Sequence, residues 1–352
     1  CMAVVLSTAK TLAEYKYPQS AAEPWISDWL SGTGRNPETA VRMCRNAEVD
    51  LRSSVLPIEE VFRPKSLTES NRLYEENIIR LGAKVSRMAI EAAGLAPGDI
   101  DMIISVSCTG FMIPSVDAYL IDELGMGAAT KRLPITELGC AAGAAGLSRA
   151  REYLLGFPDH RVLLVSVELP TLTFQFDDLS LDNIVSLAIF GDGAAAAVLS
   201  GRPENGRPEI VDSRTTTLPD STGLMGFRLG EKGFQIILSK NIPQAVKERV
   251  RPTVEEFLAE NELSLEGIDH LLLHPGGKRI LEVYRDELGV TNEALYFSRK
   301  VLSECGNVSS STILMILDEI LQSGQARGGD TGLLLAMGPG FSIEQLLICW
   351  PD

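Results

Sequence analysis

Apolar residues recur at helical spacing in two distant parts of the chain. Ile78, Leu81, Val85 and Met88 fall on one face of a predicted helix, and Val246, Val250, Val254 and Leu258 do the same. Each helix is followed by a short polar turn and an Ile-Asp pair, Ile100-Asp101 or Ile268-Asp269. Each pair opens an apolar run that reads as a buried strand, MIISVS at 102–107 and HLLLH at 270–274. Next come a loop and a helix start rich in small residues, LGCAAGAAG at 138–146 and CGNVSSST at 305–312. A further continuous apolar strand closes each unit, RVLLVSVEL at 161–169 and TGLLLAMG at 331–338. The corresponding anchors lie 168, 167 and about 170 residues apart. Register held through three successive elements indicates a duplicated strand–helix unit.

Strands that are apolar throughout and alternate with helices predict an α/β fold with sheets covered on both faces. The polar segment SGRPENGR at 200–207 is the natural connection, which sets the halves at 1–204 and 205–352. Two unrelated α/β domains are the alternative. If the halves are related by pseudo-symmetry, their loops surround one shared site.

Composition narrows the function. The 352 residues are 45% hydrophobic and 22% charged, with a net charge of −15. No Lys/Arg block is present to neutralise a phosphate backbone, so nucleic acid is not an expected partner. No apolar run has transmembrane length, and no signal peptide or membrane association is expected. Six sparse cysteines without a CxxC pair argue against a disulfide framework or a zinc site, and fit a reducing cytoplasm.

Three residues carry candidate chemistry. Cys140 lies at a helix start among Gly and Ala, where the dipole and free N–H groups favour a thiolate. A buried structural cysteine is the plainer interpretation. His274 ends a strand and precedes Pro275-Gly276-Gly277, a usual place for a functional group in α/β folds. A capped histidine in a turn is its alternative. Asn307 holds the position in the second half that Cys140 holds in the first, although Asn also serves well as a plain helix cap.

The strings ELGCAAGAAG, FGDGAAAAVLS, LLHPGGKRILE, CGNVSSST and MGPGFS resemble the type III polyketide synthases, the chalcone-synthase-like family. SVSCTGFMIPS looks especially like bacterial members. The resemblance implies a thiolase-like fold in which two duplicated αβ halves form a five-layer αβαβα sandwich. It implies a homodimer that acts on CoA thioesters, an acyl-CoA starter and malonyl-CoA, with no metal or redox cofactor. Cys140 is then the acyl-bearing nucleophile and His274 the imidazolium that stabilises its thiolate. His274 and Asn307 donate to the thioester oxygen during decarboxylation.

The same resemblance makes Phe190 a gatekeeper at the cavity, with Ile236 near the second gatekeeper position. Cys108, Thr173, Phe227 and Ser309 fall at cavity-lining positions, and Gly338, Pro339 and Gly340 match a C-terminal loop that shapes the pocket. Ile113 falls where a partner subunit reaches its neighbour's cavity. Two departures stand out. Of three basic residues at the CoA entrance of plant members, only Arg42 is matched, with Thr39 and Asn46 at the flanking positions; Arg45, Arg52 and Arg279 are the nearby substitutes. Pro170 replaces the usual cavity threonine. A single-condensation β-ketoacyl synthase III-like or hydroxymethylglutaryl-CoA synthase-like enzyme is the nearest alternative. A hydrolase with a Cys/His/Asn trio and a non-catalytic scaffold are more distant ones.

Overall fold

The structure is a computed structural model that describes residues 3–352, so Cys1 lies outside the described residues. In chain order the strands are β1 (Ala3–Leu12), β2 (Tyr15–Pro18), β3 (Leu51–Ser54), β4 (Met102–Val106), β5 (Lys131–Ile135), β6 (Arg161–Glu168) and β7 (Gly193–Ser200). They continue with β8 (Glu209–Thr217), β9 (Met225–Gly230), β10 (Gly233–Leu238), β11 (His270–Leu273), β12 (Thr331–Gly338) and β13 (Ser342–Cys349). Nine of them form one sheet in the order β11-β12-β13-β8-β1-β7-β6-β4-β5.

The duplication is visible in that order. β4, β6 and β7 of the first half correspond to β11, β12 and β13 of the second, and β1 corresponds to β8. The halves are joined edge to edge through Ala3–Ile210 and Val4–Glu209. The match is incomplete: β5 has no partner in the second half, where helix Tyr296–Cys305 leads directly to the CGN turn.

Both faces of each half-sheet are buried, which is why its strands read as unbroken apolar runs. On β6, Leu163, Val165 and Val167 face the outer core, whereas Val162 and Leu164 face the inner one. On β12, Leu333 and Leu335 point outward, and Leu334 and Ala336 inward. The outer layers are helix Leu67–Ala92 against the first half, and helices Ile242–Glu260 and Lys278–Leu288 against the second. Helices Ala142–Gly156 and Ser310–Ser323 lie between the half-sheets, giving five layers.

Most of the predicted stripe on helix Leu67–Ala92 is buried, but Met88 is 40% exposed and Ala89 takes its place in the core. Ser66 caps this helix by accepting from the Glu69 N–H at 3.1 Å.

The two central helices approach so closely that small residues are obligatory. A Cβ on Gly143 would lie 2.2 Å from the Ser310 carbonyl oxygen and 2.7 Å from Ile313. This contact holds the two helix starts together. Within each half the parallel strands end together, β4 with β6 and β11 with β12, and residues just after them from both halves line one cavity.

Gly143→Ala should therefore cost about 2 kcal/mol or more of unfolding free energy in urea, because the clash is with backbone. Gly127→Ala, whose Cβ would meet only Thr130 at 3.8 Å, serves as the control and should change stability by less than about 0.5 kcal/mol. Equal stability of the two variants would contradict this account of the central contact.

Candidate active site

Cys140 sits in a single 3-10 turn, Gly139–Ala141, directly before central helix Ala142–Gly156. Gly139 has φ +51°, and a Cβ there would strike the Pro339 ring at 2.6 Å. A Cβ on Gly338 would lie 2.4 Å from the Leu138 carbonyl oxygen. The GPG segment thus backs the nucleophile turn, and only glycines permit the approach.

His274 follows β11. Its N–H donates to the Leu335 carbonyl at 2.8 Å, and Tyr284 Oη donates to its carbonyl at 3.3 Å. The backbone is held firmly, yet the buried ring has no partner at either nitrogen among the described residues. An unpaired buried imidazole is costly, so its donors and acceptors are kept for something that enters. Burial alone pushes its pKa down to about 4.

Asn307 is fixed from both sides. Its N–H donates to the Ile189 carbonyl at 2.7 Å, and its carbonyl accepts from the Gly191 N–H at 3.1 Å. These bonds tie the FGDG turn of one half to the CGN turn of the other. The side-chain Oδ1 accepts from the Ser309 N–H at 2.8 Å and from Thr312 Oγ1 at 3.4 Å. With Oδ1 occupied, the amide NH₂ is left to face the cavity and the Cys140 thiol.

Ser309 joins the elements. It adopts φ 48° and ψ −127°, an uncommon conformation for a residue with a side chain. Its Oγ lies 3.6 Å from Cys140 Sγ and 3.6 Å from Cys108 Sγ. Burial pushes the Cys140 thiol up to about 11, against the pull of hydrogen bonds from Ser309 and Asn307. Burial and the neighbouring Glu168 carboxylate also push the Cys108 thiol well above its usual value.

Sequence reasoning missed Glu168. This fully buried carboxylate ends β6 and accepts from the Cys108 N–H at 3.1 Å, from Thr109 Oγ1 at 2.9 Å and from Ser310 Oγ. Its pKa is raised by burial and pulled back by those donors. It locks the Cys108 loop of the first half to the helix start of the second. The available signal was a charged residue near the end of an otherwise apolar strand.

These groups line a cavity of about 1500 Å³. Cys140, His274 and Asn307 all reach it, as do Phe190, Cys108, Thr173, Phe227, Ile236, Ser309, Pro339, Arg279 and Pro170. Thr173 is turned by its own hydrogen bond to the Pro170 carbonyl at 2.8 Å. Gly338 and Gly340 flank the cavity wall without lining it. Phe227 and Ile236 lie opposite each other on the β9–β10 hairpin.

The basic residues are distributed differently from the entrance set expected above. Arg42 and Arg45 are exposed on helix Pro37–Arg45, which contributes only Met43 to the cavity. Arg45 is engaged by Glu23 at 2.6 Å and Glu38 at 3.5 Å. Arg52 is buried and donates to the Leu187 and Phe190 carbonyls, so it supports the Phe190 turn rather than an entrance. Among the described residues no group of three or more His, Cys, Asp or Glu is placed to hold a metal ion. No described helix is long and apolar enough to cross a membrane.

Comparison with known proteins agrees with this architecture. Sequence models of the N-terminal and C-terminal domains of chalcone and stilbene synthases match residues 35–203 and 209–350. The chain is 37% identical to the 1,3,6,8-tetrahydroxynaphthalene synthase of Streptomyces peucetius, over 98% of this chain and 93% of that one. It is 36% identical to the phloroglucinol synthase of Pseudomonas fluorescens, over 88% and 89%. The crystal structure of the Streptomyces coelicolor tetrahydroxynaphthalene synthase superimposes with a TM-score of 0.94 at 31% identity, covering 99% of both chains. The chain belongs to the chalcone and stilbene synthase family, with its thiolase-like fold. It is a type III polyketide synthase, an acyl-transferring enzyme.

Glu168→Gln tests the positioning network. The amide keeps one acceptor but brings a donor among groups that already donate. Turnover should fall at least about tenfold with KM changed less than about threefold, and stability should fall by about 1–3 kcal/mol. A variant with normal turnover would show that the carboxylate does not position the site.

Proposed function

We propose that Cys140 carries the growing acyl chain and that His274 and Asn307 form the decarboxylation site. The observation that carries this reading is the buried, unpartnered His274 ring sharing one cavity with Cys140 and the fixed Asn307 amide.

The Cys140 thiolate attacks the carbonyl of an acyl-CoA; the C–S bond to CoA breaks, and the CoA thiolate leaves and takes up a proton. Malonyl-CoA then loses CO₂, and the released electron pair becomes an enolate with its charge on the thioester oxygen. His274 and Asn307 donate to that oxygen, and fixed donors in a dry site are worth more than the same groups in water. The enolate carbon attacks the acyl-Cys140 carbonyl, a C–C bond forms, and Cys140 leaves as thiolate. The extended chain returns to Cys140 for another round. Every electron pair moves between substrates and Cys140, so the chemistry calls for no metal or redox group.

Cavity volume favours several rounds over one. About 1500 Å³ exceeds what a single two-carbon extension needs, and the lining is largely apolar, with Phe190, Phe227, Ile236 and Pro339 among its walls. Cyclisation to a pyrone, a resorcinol or phloroglucinol, or a naphthalene-type product suits such a chamber. Phe190 and Ile236 are proposed to gate it, and Gly338–Gly340 to fix its floor behind Cys140.

The working unit is proposed to be a homodimer of chains whose halves meet at 204/205. Support comes from β5, an edge strand paired only to β4, and from the neighbouring Phe111 and Ile113, which are 61% and 82% exposed although they line the cavity. A second copy over this edge would complete the wall. The cysteines of the described residues are all free, which supports work in a reducing cytoplasm.

The test is intact-mass spectrometry after incubation with an acyl-CoA panel, followed by product analysis with malonyl-CoA. The wild type should gain one acyl mass, and Cys140→Ala none, with products formed by two or more extensions. Full activity of Cys140→Ala would refute the reading, and products of one extension would favour the single-condensation alternative.

A further inference from the structure

Helix Leu181–Ile189 turns one face to the cavity. Leu181, Asp182, Val185 and Ile189 line it, and Phe190 follows at the helix end. The last four carbonyls of a helix lack partners inside it. Here each is taken, and from a different source. Ser186 accepts from the Phe190 N–H at 3.1 Å, and Leu187 from the Arg52 guanidinium. Ala188 accepts from Gln19 Nε2 at 2.7 Å, and Ile189 from the Asn307 N–H at 2.7 Å. Arg52 also donates to the Phe190 carbonyl at 3.4 Å.

The two side chains come from one small element. β2 and β3 form a separate two-stranded sheet, in which Tyr17 pairs with Arg52 and Pro18 with Leu51. Gln19 extends that pairing by donating its N–H to the Asp50 carbonyl at 2.8 Å. Gln19 and Arg52 are both buried. A buried guanidinium is expensive, and this one bonds to carbonyls rather than to a carboxylate, with its Nε left unpaired among the described residues. The dipole favours a cation at a helix C-terminus, which offsets part of that cost. An apolar side chain would serve packing alone; the open carbonyls are what call for the charge.

We propose that Arg52 and Gln19 are positioning residues that clamp this helix end, so that the gate Phe190 and the donor Asn307 are set by one anchor. This rests on the reading of Phe190 as a gate and of Asn307 as a donor in decarboxylation. Phe190 and Asn307 form an isolated parallel bridge, so a shift of the helix end carries to both. Starter choice and decarboxylation rate are thereby coupled through two side chains that do not line the cavity.

Arg52→Met removes the donors and keeps most of the volume. It should lower kcat at least about tenfold, with KM for malonyl-CoA changed less than about threefold. Arg52→Lys keeps the charge and a terminal donor, and should recover at least about threefold of that loss. Gln19→Met removes one hydrogen bond only, so it tests the clamp even if Arg52→Met does not fold; its kcat should fall about threefold or more. The ratio of kcat/KM between a long and a short acyl-CoA should move at least about threefold in the variants, because Phe190 moves with the helix end. Hydrogen exchange followed by mass spectrometry reads the clamp without catalysis. Peptides covering 186–192 and 305–309 should exchange faster together, by at least about tenfold, while β12 keeps its protection. Coupled exchange in a protein that fails to decarboxylate malonyl-CoA would keep the clamp and discard the role given to Asn307. Faster exchange in only one of the two segments, an equal loss of protection in β12, or an unchanged kcat in Gln19→Met would overturn the proposal.

Discussion

Everything in the site depends on the contact between the two central helices. Gly143 rests directly on the Ser310 carbonyl, and this fixes the start of one helix against the start of the other. Cys140 precedes the first helix by two residues, and Asn307 precedes the second by three. A side chain at that contact would separate residues that are 167 positions apart in sequence. The same economy of side chains recurs around it. Gly139 and Gly338 let the GPG segment back the nucleophile, and Gly191 and Gly306 let the FGDG and CGN turns cross.

That closeness has an electrostatic consequence. Cys140, His274 and Glu168 are all removed from water, and burial favours the neutral form of each. Glu168 is compensated by three donors and becomes a structural anchor. Cys140 is partly compensated, by Ser309 and Asn307. His274 is not compensated at all. In the proposed reaction, a proton passed from Cys140 to His274 would create two opposite charges in one dry cavity, and each would offset the other's desolvation. Their titrations would then be a property of the pair.

Much of this was legible in the sequence because the duplication constrained it. The equal offsets between Ile100 and Ile268, and between Cys140 and Asn307, reported two half-sheets around a shared centre before any contact was known. Continuous apolar runs reported burial on both faces. What was hidden depended on contacts that periodicity does not encode. Met88 fits a helical stripe by spacing, but the core surface turns towards Ala89. Arg45 looked available for phosphate, yet Glu23, distant in sequence, holds it. Glu168 was concealed at the end of β6, because the strand's five Val and Leu residues set how it reads.

The central claim is that Cys140 and His274 share a proton as one buried pair. The most direct measurement is the pH dependence of Cys140 alkylation by iodoacetamide, followed by peptide mass spectrometry in the wild type and in His274→Gln. Burial holds the thiol above its usual range, so without its partner half-maximal labelling should shift to higher pH. The wild-type profile should lie lower, with labelling at neutral pH more than about tenfold faster than in the variant. Superimposable profiles for the two proteins would contradict the account.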